Sequence, residues 1–159
     1  MHAFDRIAML VDADFVEIGG DIVPDLVDDN SRRYQSRTRC FRILDACSDE
    51  LPSVDLVLCR DMLVHLSFAD AMRALTNMRR SGSKYLLTTT FTERRSNNDV
   101  QTGQWRPLNL GLPPFNFPAP LMIIKEGCTE WNGAWADKCL GLWLLTDIRA
   151  QPELALNDD

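Results

Sequence analysis

The chain has 159 residues, 45% hydrophobic and 25% charged, with a formal net charge of -6. Length and apolar content suit one globular domain with its own core and exclude a largely disordered chain. The acidic balance argues against nucleic acid or an anionic membrane as partner, because polyanions repel it.

No apolar run approaches the ~20 residues that span a bilayer. The start, Met1 to Arg6, includes Asp5 and lacks the apolar core of a signal peptide. A cytoplasmic location is expected. The five cysteines are an odd number without CxxC spacing, which argues against a disulfide framework or a zinc site. No metal is expected, and the cysteines read as buried free thiols.

Taken in chain order, Phe4, Ile7, Ala8 and Val11 have helical spacing and predict a short helix. Asp14–Asp21 reads as a strand ending in Gly19-Gly20. A helix follows from Pro24 to about Tyr34, with proline at its first turn, Asp21 as N-cap and Arg32 and Arg33 at its end. Arg39–Leu44 is a second strand, and the apolar run Asp55–Cys59 a third, suited to a parallel strand covered on both faces.

Ser67–Arg80 predicts a helix with a capping-box-like Ser67/Asp70 pair, a buried stripe of Ala71, Leu75 and Met78, and Gly82 as its C′ residue. Lys84–Phe91 is β-rich. Residues 92–120 form a long stretch whose aromatics and prolines favour an ordered, packed loop. Leu121–Ile124 and Asp137–Thr146 are strands close enough to pair antiparallel, with a turn near Trp131, Gly133 and Trp135. The last residues, 151–159, read as an acidic frayed tail after a domain spanning 1–150. Arg32-Arg33 and Arg94-Arg95 read as solvated basic ends.

Alternating strands and helices imply an α/β sheet. Ligands bind such sheets beyond the carboxyl ends of the parallel strands. Asp21, Asp45 and the segment Cys59-Arg60-Asp61 fall there. Asp21, after a strand and two glycines, suits a ribose-binding acid as well as a helix cap. His65 reads as a hydrogen-bonded structural residue or as a base on the substrate side. In the long loop, Trp105, Arg106 and Asn109 are candidates for substrate recognition, the arginine as a clamp for a carboxylate or phosphate. Asp99, Glu126 and Glu130 have no constellation around them in the sequence.

The run Ile18-Gly19-Gly20-Asp21-Ile22-Val23-Pro24, then Asp45-Ala46, then Asp55-Leu56-Val57-Leu58-Cys59-Arg60-Asp61 with Leu63 and His65, resembles class I S-adenosylmethionine-dependent methyltransferases. The resemblance covers about Phe15 to Thr146. It implies a Rossmann-like three-layer α/β sandwich with a mostly parallel sheet and a terminal antiparallel strand pair. It further implies that S-adenosyl-L-methionine is the cofactor and that the acceptor is a small molecule. Asp21 would hold the ribose, Ile22 would pack on adenine, and Asp45, beside Ala46, would accept from the adenine amino group. Cys59, Arg60 and Asp61 would line the methionine end.

The family's first strand and Gly-rich loop have no counterpart in the sequence, and Phe4–Val11 corresponds to the helix after that loop. The expectation is therefore a methyltransferase domain incomplete at its N-terminus. Exposed edges on the neighbours of the missing strand would favour self-association into a homo-oligomer. The alternative is a non-catalytic methyltransferase-like remnant or interaction module. A nicotinamide-dependent Rossmann enzyme suits the terminal strand pair and Asp45-Ala46 less well.

Overall fold

The computed structural model describes residues 15–149. The expected helix Phe4–Val11 and the acidic tail 151–159 lie outside the described residues. The chain divides between Asp45 and Ala46 into two compact units.

The first unit is a strand–helix–strand: β1 (Glu17–Asp21), α1 (Pro24–Tyr34) and β2 (Arg39–Ile43). β1 and β2 pair in parallel, from Glu17 opposite Arg39 to Asp21 opposite Ile43. The close strand contact explains Gly19, where a Cβ would come within 2.5 Å of the Phe41 ring. Pro24 opens α1 as expected, but Val23 occupies the N-cap position and no side chain caps the helix. Asp21 instead accepts the Val23 N–H at 2.9 Å, a local turn that ends the strand. Arg32 and Arg33 close α1 and reach back to Asp29, with Arg33 Nε 2.9 Å from its carboxylate. Both arginines are exposed, as a solvated helix end should be.

The second unit holds β3 (Leu56–Cys59), a 3-10 turn at Leu63–His65, α2 (Phe68–Arg80), β4 (Tyr85–Phe91), β5 (Met122–Lys125) and β6 (Lys138–Leu144). Its sheet runs β3-β4-β6-β5. β3 and β4 are parallel, and β6 is antiparallel to both β4 and β5. The expected terminal antiparallel pair is present. The sheet is mixed rather than mostly parallel, because the last strand inserts between two earlier ones and supplies both antiparallel ladders. Insertion suits β6, whose residues Lys138–Gly141 are buried. β5 takes the edge with all four residues exposed. Among the described residues β1, β2, β3 and β5 each pair along one edge only.

α2 follows its sequence signals closely. Ser67 accepts the Asp70 N–H at 3.1 Å, and Ala71, Ala74, Leu75 and Met78 are buried. Gly82, at φ +76°, bonds its N–H to Arg79 O. The reciprocal half of a capping box is supplied from elsewhere. Thr102 Oγ1 accepts the Ser67 N–H at 3.0 Å and donates to the Asp70 carboxylate. The core joins this helix to Cys59, Leu63, Leu86, Phe91, Trp143 and the loop residues Leu108, Leu110, Phe115 and Phe117. The long loop is thus packed into the core, as its composition suggests.

Candidate functional site

In the first unit, Asp21 and Asp45 come to the same end of the parallel pair. Leu44, the residue before Asp45, donates its N–H to Asp21 O at 3.0 Å. Asp21 uses Oδ1 for the local turn, and its Oδ2 carries no hydrogen bond or ion pair among the described residues. Ile22 beside it is 66% exposed. A half-open carboxylate next to an exposed apolar side chain suits a hydroxyl-bearing ring system with a flat apolar partner.

In the second unit, β3, β4 and β5 point their carboxyl ends the same way, and β6 starts there. Three buried threonines of β4 tie this edge together. Thr88 Oγ1 donates to Cys59 O at 2.7 Å. Thr90 Oγ1 accepts the Leu110 N–H at 3.2 Å. Thr89 Oγ1 accepts the Asp61 N–H at 2.9 Å and donates to Asp61 Oδ1 at 3.2 Å. These bonds satisfy hydroxyls that burial would otherwise penalise. They also hold Asp61 at φ +58°, a left-handed conformation that aspartate tolerates better than most residues.

Asp61 belongs to a four-membered charge ring. Lys138 Nζ lies 2.7 Å from Asp61 Oδ2 and 3.7 Å from Glu126 Oε2. Arg60 places NH1 3.1 Å from Asp61 Oδ2 and Nε 2.7 Å from Glu126 Oε1. Two cations and two anions alternate, so the ring is charge-neutral. The Glu126 contact raises the Arg60 pKa above its ordinary value. Lys138 and Glu126 are the more enclosed members, each side chain 11% exposed. Glu126 therefore does have a constellation, one that needs a partner sixty-six residues away in the chain. Cys59, expected near a ligand, has its side chain in the core; burial pushes its thiol up to about 11.

Arg106 is buried, only 5% exposed, with NH1 on Leu63 O at 2.8 Å and Nε on Asn98 O at 3.2 Å. Burial lowers its pKa, opposed by Asp99. Asp99, also lacking a constellation in the sequence, accepts the Phe68 N–H at 2.7 Å, close to the start of α2. His65 is exposed; its Nδ1 lies 3.2 Å from Gln104 O. Backbone bonds from Gly103 and Arg106 strap the loop to the 3-10 turn. Trp105 is 41% exposed and stacks edge-on against Trp135 at 4.8 Å and Phe91 at 6.1 Å. Asn109 donates to Arg94 O at 3.0 Å and accepts the Gly111 N–H, so it stabilises the loop itself.

Arg94 departs from the solvated reading. It forks onto the buried Asp137, with Nε and NH2 at 3.0 and 3.1 Å from its two oxygens, and covers the Trp135 ring. The forked guanidinium–carboxylate geometry is specific and strong. Asp137 precedes β6 by one residue, so the pairing appears only once that strand is in place.

The pyocyanin biosynthetic protein PhzM superposes over 89% of this chain and 54% of its own, at a TM-score of 0.58 and 16% identity. Human N-acetylserotonin methyltransferase, in complex with S-adenosylmethionine, superposes over 80% and 39% respectively, at 0.50 and 14%. The fold of this chain is that of the class I S-adenosylmethionine-dependent methyltransferases. The chain spans about half the length of PhzM and less of the human enzyme. No protein-family model and no curated protein matches it by sequence. Among the described residues of this methyltransferase fold, no helix is long and apolar enough to cross a membrane.

Proposed function

We propose that the protein binds S-adenosyl-L-methionine and transfers its methyl group to a small-molecule acceptor. The observation that carries this reading is the open Asp21 carboxylate at the end of β1, beside exposed Ile22, within a methyltransferase fold. In the first unit, Asp21 takes the ribose hydroxyls, Ile22 covers the adenine and Asp45 accepts from its amino group. In the second unit, Ala46 and Arg60 remain the cofactor-side candidates, Arg60 by its place directly after β3, while the Cys59 side chain faces the core. The methyl group reaches the acceptor from a sulfonium leaving group, which needs little acid–base help. The residues' chief task is to align acceptor and methyl carbon. Trp105, Arg106 and Asn109 shape the acceptor side, with Asp61 and His65 as the polar groups nearest to a catalytic role.

A second reading is a methyltransferase-like module that binds partners without transfer. The ring of Arg60, Asp61, Lys138 and Glu126 favours it, because its two cations and two anions already neutralise one another.

Calorimetric titration with S-adenosylhomocysteine tests the first reading. Micromolar binding is expected, weakened at least about tenfold by Asp21→Ala, the loss of a hydrogen bond to a charged group. A folded chain that shows no binding overturns it and leaves the second reading.

A further inference from the structure

The second unit contains a cavity of about 420 Å³ lined by Glu93, Arg94, Arg95, Ser96, Asn98 and Arg106. Three guanidinium groups border one small space, and their partners differ. Arg94 is neutralised by its fork onto Asp137. Arg95 is exposed and makes no hydrogen bond or ion pair among the described residues. Arg106 is buried, bonds only the neutral carbonyls of Leu63 and Asn98, and leaves NH2 buried without a partner.

A buried cation without a carboxylate is costly. The Phe68 ring, 5.3 Å from the Arg106 guanidinium carbon, offsets part of that cost but supplies no counter-charge. Asp99 supplies none by direct pairing, because its Oδ1 serves the Phe68 and Val100 N–H groups. Glu93 is the one acid in the lining. Within the lining itself, with Arg94 cancelled by Asp137, Arg95 and Arg106 exceed Glu93 by one positive charge; Asp99 acts on Arg106 only from outside the lining and without direct contact.

We propose that this cavity is an oxyanion site that takes the carboxylate or phosphate of a small molecule, with Arg106 and Arg95 supplying the countercharge. Guanidinium forks fit both anions, and the Ser96 hydroxyl adds a donor. The cavity sits on the loop that carries Trp105 and Asn109. Where the methyltransferase reading holds, the anion belongs to the acceptor. The acceptor assignment alone rests on that reading, and anion binding stands without it.

The test is a titration of the full chain with inorganic phosphate and, separately, with benzoate, followed by the amide shifts of Arg95, Ser96 and Asn98. Sodium chloride at matched ionic strength is the control. Saturable shifts are expected with at least one anion. Arg106→Gln should weaken binding roughly tenfold or more, as loss of a charged hydrogen bond does. Arg95→Gln, at an exposed position, should weaken it severalfold without disturbing the fold, which keeps the test open if Arg106→Gln fails to fold. Saturation by phosphate alone assigns a phosphoryl ligand, and saturation by benzoate alone a carboxylate. No saturable shift with either anion, or shifts matched by chloride or untouched by Arg95→Gln, overturns the site. Oxyanion binding without S-adenosylhomocysteine binding would break the methyltransferase reading and leave this site standing.

Discussion

The two units solve the problem of burial differently. Among the described residues of the first, Val27 is the buried apolar side chain, while Phe15, Val16, Ile22, Val23, Leu26, Tyr34 and Ile43 are all at least 42% exposed. Its order comes from local devices: a strand–helix–strand ladder, a proline start, i,i+4 ion pairing and a turn closed by Asp21. In the second, one contiguous core runs from Cys59 to Ile148 and draws the long loop into itself. Here long-range packing sets the order. Local hydrogen bonds specify a conformation but contribute little net stability, whereas apolar burial supplies most of it.

That contrast can be broken or sharpened by experiment. The largest effect should come from Phe91→Ala in β4, whose side chain is 1% exposed. A loss of about 3–5 kcal/mol is expected in urea unfolding of the second unit. A loss below about 1 kcal/mol would mean that the core is looser than its burial implies.

The next effect is a pH dependence confined to the second unit. The Cys59 thiol is raised from 9.0 to about 11 by burial. A group raised on folding stabilises fully below its unfolded value and loses that contribution as pH climbs to the folded one. Stability should therefore fall by about 3 kcal/mol between pH 9 and 11. Cys59→Ala should flatten that slope, leaving the smaller part due to Cys139, whose thiol burial also raises, as seen by urea titrations at several pH values. An unchanged slope would assign it to other groups.

The smallest effect belongs to the first unit. Asp29→Asn removes the anion that Arg32 and Arg33 share on an exposed face of α1. A cost of about 0.5 kcal/mol or less is expected. Amide exchange in α1 should quicken slightly while β4 and β6 stay unchanged. A large cost would show that α1 matters more to the first unit than its exposure implies.

The parts legible in the sequence are those governed by neighbours in the chain. Pro24, the stripe of Ala71, Leu75 and Met78, the Ser67 cap and Gly82 all act within a few residues. Their helices therefore lie within a residue of where spacing and capping put them. The same holds for the apolar run of β3 and for the acid at the end of β1. The N-cap of α1 falls on Val23 and not on Asp21, because one aspartate can serve a turn or a helix and the backbone angles choose.

The sequence by itself determined the periodicities, the caps and the acids at strand ends, because each is set by backbone geometry over a few bonds. Only the tertiary structure decided the place of β6, and much followed from it. With β6 between β4 and β5, Lys138 meets Asp61 seventy-seven residues away, Asp137 meets Arg94, and Trp143 donates its indole N–H to Pro118 O. It also decided that Arg106 is buried with no carboxylate in direct contact among the described residues. No local signal marks such pairings, because an ion pair depends on strand order and register, and charge alone does not say which opposite charge will be brought near.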